Sequence, residues 1–330
     1  LHLCDRRQRQ MCIRDRKKGL VEQMEIKNWI YEEFPEYTEK VEGAVRISAT
    51  GNEMGVYYRP DIEYAKIDGV PLHLQVLEPF SRNEPEKFYP CLVFVQGSAW
   101  MKQDVYKSCP MYARLAAKGY VVAVCEYRHS GIAAFPAQIQ DARNAIRFMK
   151  RNGQSWHADV KNIFIGGCSS GGHTAVFAGM LKENDPMNAS IYPDTDASVK
   201  GILDYYGSVN LLEDDYYPST INHHLPDSPE GRVMGGADMR KDVKLREKGT
   251  AECYITPDTD LPPVMIVHGT KDRTVSTVQS VSLYHKLKAC GKDAELYLIE
   301  GADHGGAEFW TDEMCEIADC FMKTCMNKET

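Results

Sequence analysis

The stretch Ile163-Phe-Ile-Gly-Gly-Cys-Ser-Ser-Gly-Gly-His173 decides how the rest of the chain is read. An apolar run of strand character enters a glycine-rich turn, and a helix-length segment, Gly171–Lys182, leaves it. A serine held on a sharp strand-to-helix turn needs almost no side-chain bulk two residues before and after it, or neighbouring backbone collides. Ser169 meets that requirement with Gly167 and Gly171. Ser170 would have Cys168 and Gly172 in those places, and Cys168 would have Gly166 and Ser170, so both fit worse. The following helix adds the positive end of its dipole, which favours negative charge developing beside the serine. Ser169 is therefore the candidate nucleophile.

On either side of this turn, short apolar runs alternate with longer helical patterns. Cys91–Val95, Val121–Cys125, Ile163–Ile165, Ile202–Leu203 and Val264–Val267 are continuously apolar, as strands covered on both faces are. Leu72-His-Leu-Gln-Val-Leu77 alternates at period two, predicting a half-exposed or antiparallel strand, and Ala294–Ile299 closes the series. Helices are expected over Tyr106–Lys118, Ala137–Asn152, Gly171–Lys182, Thr274–Cys290 and Glu308–Met326. In the second, Ile139, Ala142, Ala145, Ile146 and Met149 recur every three or four residues and form one apolar stripe. This alternation predicts a mostly parallel central sheet with helices on both faces. Residues 24–67 read as an N-terminal extension, and about 208–258 as a small insertion or cap within a single domain spanning 24–330.

Composition fits that frame. The chain has 330 residues, 43% of them hydrophobic and 26% charged, with a net charge of −8. Such a chain can bury a large core and is not disordered as a whole. The acidic balance argues against a nucleic-acid partner, and no apolar run approaches the roughly 20 residues of a membrane helix. Charge is uneven, however: residues 1–18 carry +5, leaving −13 for the rest. That head lacks a continuous apolar segment, so it is no secretory signal. Residues 1–23 are expected to be a disordered, non-native leader upstream of a start such as Met24. Eleven scattered cysteines without a Cys-x-x-Cys pair point away from a disulfide framework and from zinc, and toward a reducing cytoplasm. No metal or cofactor is expected.

A serine nucleophile needs a base, and the base needs an orienting carboxylate. After this type of turn the chain order is serine, acid, histidine. Val264-Met-Ile-Val-His-Gly-Thr-Lys-Asp272 delivers Asp272 just past a buried strand, and Leu296-Tyr-Leu-Ile-Glu-Gly-Ala-Asp-His304 delivers His304 past the last one. Both would lie at the sheet edge where ligands bind in open α/β folds. Asp303 is the competing acid, but adjacent residues rarely let one bond the other's ring. His268 and His173 read as structural. For the oxyanion, donors are expected from the Ser170 amide and from Ser98 and Ala99, in the loop Phe94-Val-Gln-Gly-Ser-Ala-Trp100.

Val95-Gln-Gly-Ser-Ala-Trp100, Glu126-Tyr-Arg128 with Phe135-Pro-Ala137 and Asp141-Ala-Arg143, the serine turn, His268-Gly-Thr-Lys-Asp272 and Asp303-His-Gly-Gly306 together carry a resemblance. From roughly Trp29 onward the chain resembles the α/β-hydrolase superfamily. Its nearest branch in these motifs is the hormone-sensitive-lipase-like, bifunctional feruloyl/acetyl-xylan esterase group. Such proteins usually have His-Gly-Gly-Gly or His-Gly-Gly-x-Trp in the oxyanion loop; here Gln96 replaces the histidine and Ser98 a glycine. The resemblance implies a serine carboxylesterase acting on a small ester, such as an acetylated or feruloylated plant-polysaccharide fragment. A peptidase or amidase of the same fold, and a binding protein that lost catalysis, are the alternatives. Trp100, Tyr206 and Tyr216 are candidates for substrate contact, with Trp100 equally readable as a loop anchor. Asp214, Asp215, Tyr217, His223 and His224 of the cap suit sugar hydroxyls or simply a solvated loop.

Overall fold

Eight strands hydrogen-bond into one sheet in the computed structural model, which describes residues 28–212 and 218–328. They are β1 (Gly55–Ile67), β2 (Val70–Phe80), β3 (Tyr89–Val95), β4 (Val121–Cys125), β5 (Ala158–Cys168), β6 (Ile202–Tyr205), β7 (Val264–Gly269) and β8 (Ala294–Ile299). Their spatial order is β1-β2-β4-β3-β5-β6-β7-β8. β2 runs antiparallel to both its neighbours, and every pair from β4 to β8 is parallel. This is the mostly parallel α/β sheet that the strand–helix alternation predicts. The expected disorder of residues 1–23 falls outside the described residues.

Residues as far as Ser48 form a unit of their own. Its described part holds one 3-10 turn, Tyr31–Glu33, and an edge-on contact between Trp29 and Phe34 at 5.8 Å. The second unit begins at Ala49 and contains the sheet. The reading of 24–67 as a bare extension needs correction at its C-terminal end, because Gly55–Ile67 is β1. Asp68 and Gly69, at φ 51° and 80°, make the two-residue turn that joins β1 to β2. Asp-Gly suits that turn because both central residues need left-handed backbone. β1 escapes period-two detection because its register slips between Arg59 and Ile62 and again between Glu63 and Ala65. It is also an edge strand, with most of its first nine residues facing solvent.

Helices cover both faces of the sheet. They are α1 (Cys109–Ala116), α2 (Ala137–Asn152), α3 (Ser170–Met180), α4 (Pro229–Val233), α5 (Val243–Lys248), α6 (Thr277–Ala289) and α7 (Asp312–Asn327). Alternate strand residues feed separate cores: Cys91, Val93 and Val95 join Ile139, Ile146, Met149 and Phe177 on one side. Leu92 and Phe94 join Tyr112, Trp310, Phe321 and Met322 on the other. The expected stripe of α2 is fully covered, and each such aliphatic side chain contributes roughly 1.5–3 kcal/mol by leaving water.

α2 also buries charge. The Arg128 guanidinium forks onto Asp141 at 2.9–3.1 Å, and the Arg128 amide donates to the same carboxylate. Arg143 and Arg147, almost wholly covered, share the Glu183 carboxylate at 2.6 and 2.7 Å. Arg143 also donates to the carbonyls of Ala178 and Leu181, and Arg147 to that of Thr195. These bonds fasten the excursion between α3 and β6 to the helix layer. Of the 208–258 insertion, the described residues form α4 and α5, which contribute to a small apolar cluster of Trp100, Leu211, Val233, Met234 and Met239, and a 3-10 turn over Ala251–Tyr254, which joins the main core through Ala251. Both helices start on side-chain caps: Ser228 accepts from the Gly231 amide and Asp242 from that of Leu245. No helix among the described residues is long and apolar enough to cross a membrane.

Candidate active site

β5 stops at Cys168, α3 starts at Ser170, and Ser169 joins them at φ 55°, ψ −128°. A non-glycine residue held there is strained, and such strain persists only where surrounding bonds over-determine it. The Ser169 amide donates to the Tyr205 carbonyl of β6 at 2.9 Å, and its carbonyl accepts from the His173 amide at 3.2 Å. The flanking glycines allow the close approach that the spacing implied. A Cβ on Gly167 would sit 2.1 Å from the Gly171 carbonyl oxygen, and one on Gly171 2.0 Å from that of Val95.

The loops after β7 and β8 bring the expected partners to this turn. His304 Nε2 lies 2.8 Å from Ser169 Oγ, and Nδ1 lies 2.7 Å from Asp272 Oδ2. A carboxylate only accepts, so Nδ1 carries the proton and Nε2 is left to accept from the serine hydroxyl. Asp272 Oδ1 accepts from the amides of Thr274 and Val275, both at 2.8 Å. Burial alone would raise its pKa, but the bonds from His268, His304 and these amides outweigh burial and hold the carboxyl well below the usual range. His268 is structural as expected: fully buried, its ring bonds Asp272 Oδ2 at 3.1 Å and Ser280 Oγ at 2.7 Å. Asp303, the competing acid, instead pairs with Arg273 and accepts from the His304 amide. An arrangement of this kind can pass a proton from a hydroxyl to an imidazole while a fixed negative charge stabilises the resulting imidazolium.

The oxyanion loop departs from expectation at Ser98. Its amide does not stand open for a reacting carbonyl; it donates to Ser170 Oγ at 2.9 Å. The Ser98 hydroxyl in turn bonds the Met101 carbonyl and approaches Tyr127 Oη at 2.8 Å. Tyr127 is a buried member of this cluster that sequence reasoning missed, although it sits within the quoted Glu126-Tyr-Arg128. The Ala99 amide makes no hydrogen bond among the described residues, and the Ser170 amide, first in α3, has no intrahelical acceptor.

Two of the substrate-contact candidates are covered. Trp100 is 1% exposed, with its ring edge-on to His173 at 5.2 Å, so it anchors the loop and does not present a surface to substrate. Tyr206 is 7% exposed and packs against the His304 ring at 4.9 Å and Phe309 at 4.4 Å, bracing the histidine. Tyr216, together with Asp214, Asp215 and Tyr217, lies outside the described residues. His223 bonds Glu230 Oε1 of the cap and the Thr274 carbonyl beside the Asp272 loop, both at 2.9 Å, and the His224 amide donates to Asn222.

Two further buried titratable groups lie behind the turn. His173 donates through Nε2 to the Gly249 carbonyl, and burial lowers its pKa to about 4, keeping it neutral. Asp204, on β6, is completely covered and packs against the backbone of Gly172 and Gly207. Neither of its carboxyl oxygens has a hydrogen-bond partner among the described residues. Burial pushes its pKa up to about 7, with the nearby Gly207 amide offsetting only part of that. Nothing in the apolar run around it signalled an acid of this kind.

Known proteins share this arrangement of the chain. Esterase LipC of Mycobacterium tuberculosis is 29% identical over 275 residues, 82% of this chain and 64% of its own length. This chain thus spans less than two thirds of that relative. A truncated carbohydrate esterase from gut microbiota superposes with a TM-score of 0.72 at 24% identity, covering 85% of this chain and 99% of that one. A bifunctional GH43-CE protein of Bacteroides eggerthii gives 0.66 at 25% identity, over 84% of this chain and 38% of its own. The profile of the BD-FAE family matches residues 77–287, from β2 through the serine turn and the Asp272 loop into α6. On that match, which covers more than half of its length, the chain belongs to the BD-FAE family of hormone-sensitive-lipase-like proteins with the α/β-hydrolase fold.

Proposed function

We propose that the chain is a serine carboxylesterase that works through a Ser169 acyl-enzyme. The observation that carries this reading is the unbroken chain Ser169 Oγ–His304–Asp272, with links of 2.8 and 2.7 Å. Ser169 Oγ attacks the ester carbonyl carbon as its proton passes to His304 Nε2. The proton then goes to the departing alkoxide as the tetrahedral intermediate collapses and the alcohol leaves. Water repeats the sequence on the acyl-enzyme and releases the acid. Asp272 holds Nδ1–H and stabilises the imidazolium. The Ala99 and Ser170 amides are the oxyanion donors, each worth about 2.7–4 kcal/mol in the transition state.

The substrates proposed are small acyl esters, acetyl or feruloyl-type, on plant-polysaccharide fragments. The name of one structural relative, a carbohydrate esterase from gut microbiota, supports that class. Turnover of 4-nitrophenyl acetate, acetylated and feruloylated oligosaccharides and matched peptides by wild type and Ser169→Ala tests the reading. Ester turnover by wild type, a loss on the order of 10⁴–10⁶-fold in the variant and no peptide cleavage are expected. Near-wild-type rates in Ser169→Ala would remove Ser169 as nucleophile, and peptide cleavage matching ester hydrolysis would favour the amidase alternative.

A further inference from the structure

A cleft of about 470 Å³ opens where three segments meet: Met101 and Lys102 just beyond the oxyanion loop, His129 beyond β4, and Arg232, Gly235 and Gly236 of the cap. Its size lies within the range of small-molecule sites. We propose that this cleft binds the carboxylate of a sugar acid, so that the ester substrate is an acylated oligosaccharide carrying a uronic-acid unit. The assignment deepens the esterase reading and rests on it for calling the bound sugar part of the substrate.

The first argument is charge. Lys102, His129 and Arg232 line the cleft, and no acidic side chain lines it among the described residues. Lys102 and Arg232 thus put two cations in one cleft on a chain whose net charge is −8. Among the described residues, the Arg232 guanidinium meets the Met101 thioether at 3.7 Å, and the His129 ring makes its polar contact at Nδ1, which accepts from the Gly131 amide at 3.1 Å. With Nδ1 accepting, the His129 proton sits on Nε2, which is free to donate. Other arginines on this surface do pair with carboxylates, as Arg240 does with Asp238 and Arg273 with Asp303. A cleft lined by cations and left without a carboxylate attracts one from outside.

The second argument is position. Ser98, whose amide bonds the side chain of Ser170 beside the nucleophile, also bonds the Met101 carbonyl. One short stretch of loop thus runs from the reacting centre to the wall of the cleft. The walls are fixed to each other: the Ser130 amide donates to the Trp100 carbonyl at 2.7 Å, and the Phe135 amide to that of Val233 at 2.8 Å. The third argument is room. Gly235 and Gly236 are left-handed, at φ 85° and 79°, and a Cβ on either would meet nothing within 4 Å. The cap thereby presents bare backbone where side chains would otherwise fill the space.

The test pairs binding with turnover. Glucuronate, glucose 6-phosphate and glucose are titrated calorimetrically into Ser169→Ala and into Ser169→Ala carrying Lys102→Gln and Arg232→Gln. In parallel, kcat/KM is measured for acetylated glucuronate and acetylated glucose, with and without the two cleft substitutions. Glucuronate is expected to bind and glucose not, with at least a tenfold loss in the triple variant. The rate ratio of the acetylated acid to the acetylated neutral sugar is expected to fall tenfold or more. Phosphate binding as tightly as carboxylate would overturn the uronic-acid assignment. Failure of glucuronate to bind, or an unchanged rate ratio in an enzyme that cleaves the neutral ester, would overturn the cleft itself. Glucuronate binding without turnover of either ester would sink the esterase reading and leave the carboxylate cleft standing.

Discussion

Asp272 and Asp204 are both covered carboxyls at the C-terminal ends of neighbouring strands, β7 and β6, yet they are opposites. Asp272 accepts from two histidine rings and two backbone amides, and its pKa falls. Asp204 accepts no hydrogen bond among the described residues, and its pKa rises to about 7. Burial is common to both; the donors around each decide whether charge is tolerated. The pair separates an acid kept ionised to hold an imidazole from one kept protonated below neutrality because burial outweighs what the lone Gly207 amide offers its charge.

The largest expected effect breaks the pair on activity. Asp272→Asn should lower kcat about 10⁴-fold, by presenting the wrong hydrogen-bonding face to His304 Nδ1. Asp204→Asn should leave kcat within about threefold, and steady-state kinetics with 4-nitrophenyl acetate reads both. Equal losses would erase the distinction.

The next effect concerns stability against pH. Asp204 binds its proton more tightly folded than unfolded, so its contribution is intact below the unfolded value near 3.8 and is lost as pH rises through about 7. Asp204→Asn should therefore gain on wild type between pH 5 and pH 8, by about 2–4 kcal/mol in denaturant melts. Asp272 tilts the other way. Its contribution is present above the unfolded value and is lost as pH falls toward its depressed folded value. Asp272→Asn should accordingly narrow its deficit relative to wild type under acid. Parallel curves for wild type and the two variants would contradict both assignments.

The smallest effect sharpens the comparison from the donor side. His268→Asn removes one of the bonds to Asp272, and a bond to a charged group is worth about 1.5–3 kcal/mol. A fall in kcat of roughly tenfold is expected with KM unchanged, because the substrate does not meet His268. A change confined to KM would mean that His268 acts elsewhere.

The glycines around Ser169 made the serine legible, because only a crowded turn needs them and the crowding is visible between Gly167, Gly171 and the backbone of β3. Asp272 and His304 were legible because each follows an apolar run whose burial on both faces marks a central strand. Features that depend on tertiary neighbours were not. β1 hid behind its register slips, although Asp68-Gly69 is the local sign of a hairpin that could have exposed it. The capture of the Ser98 amide by Ser170 joins residues far apart in sequence, and no periodicity encodes it. Trp100 and Tyr206 carry the residue types of a sugar-binding surface, but tertiary packing buries both, Trp100 against His173 and Tyr206 against His304 and Phe309.

The paired guanidiniums of Arg143 and Arg147 have a consequence for how the molecule is digested. The long excursion after α3 offers trypsin an exposed site at Lys182 and a half-buried one at Lys200, yet cleavage needs an extended strand of substrate to enter the protease. Because Glu183, Asn188 and the Thr195 carbonyl are all tied to buried arginines, freeing that much chain requires uncovering two cations at once. Limited trypsinolysis should leave this segment whole for as long as the helix layer beneath it stays folded.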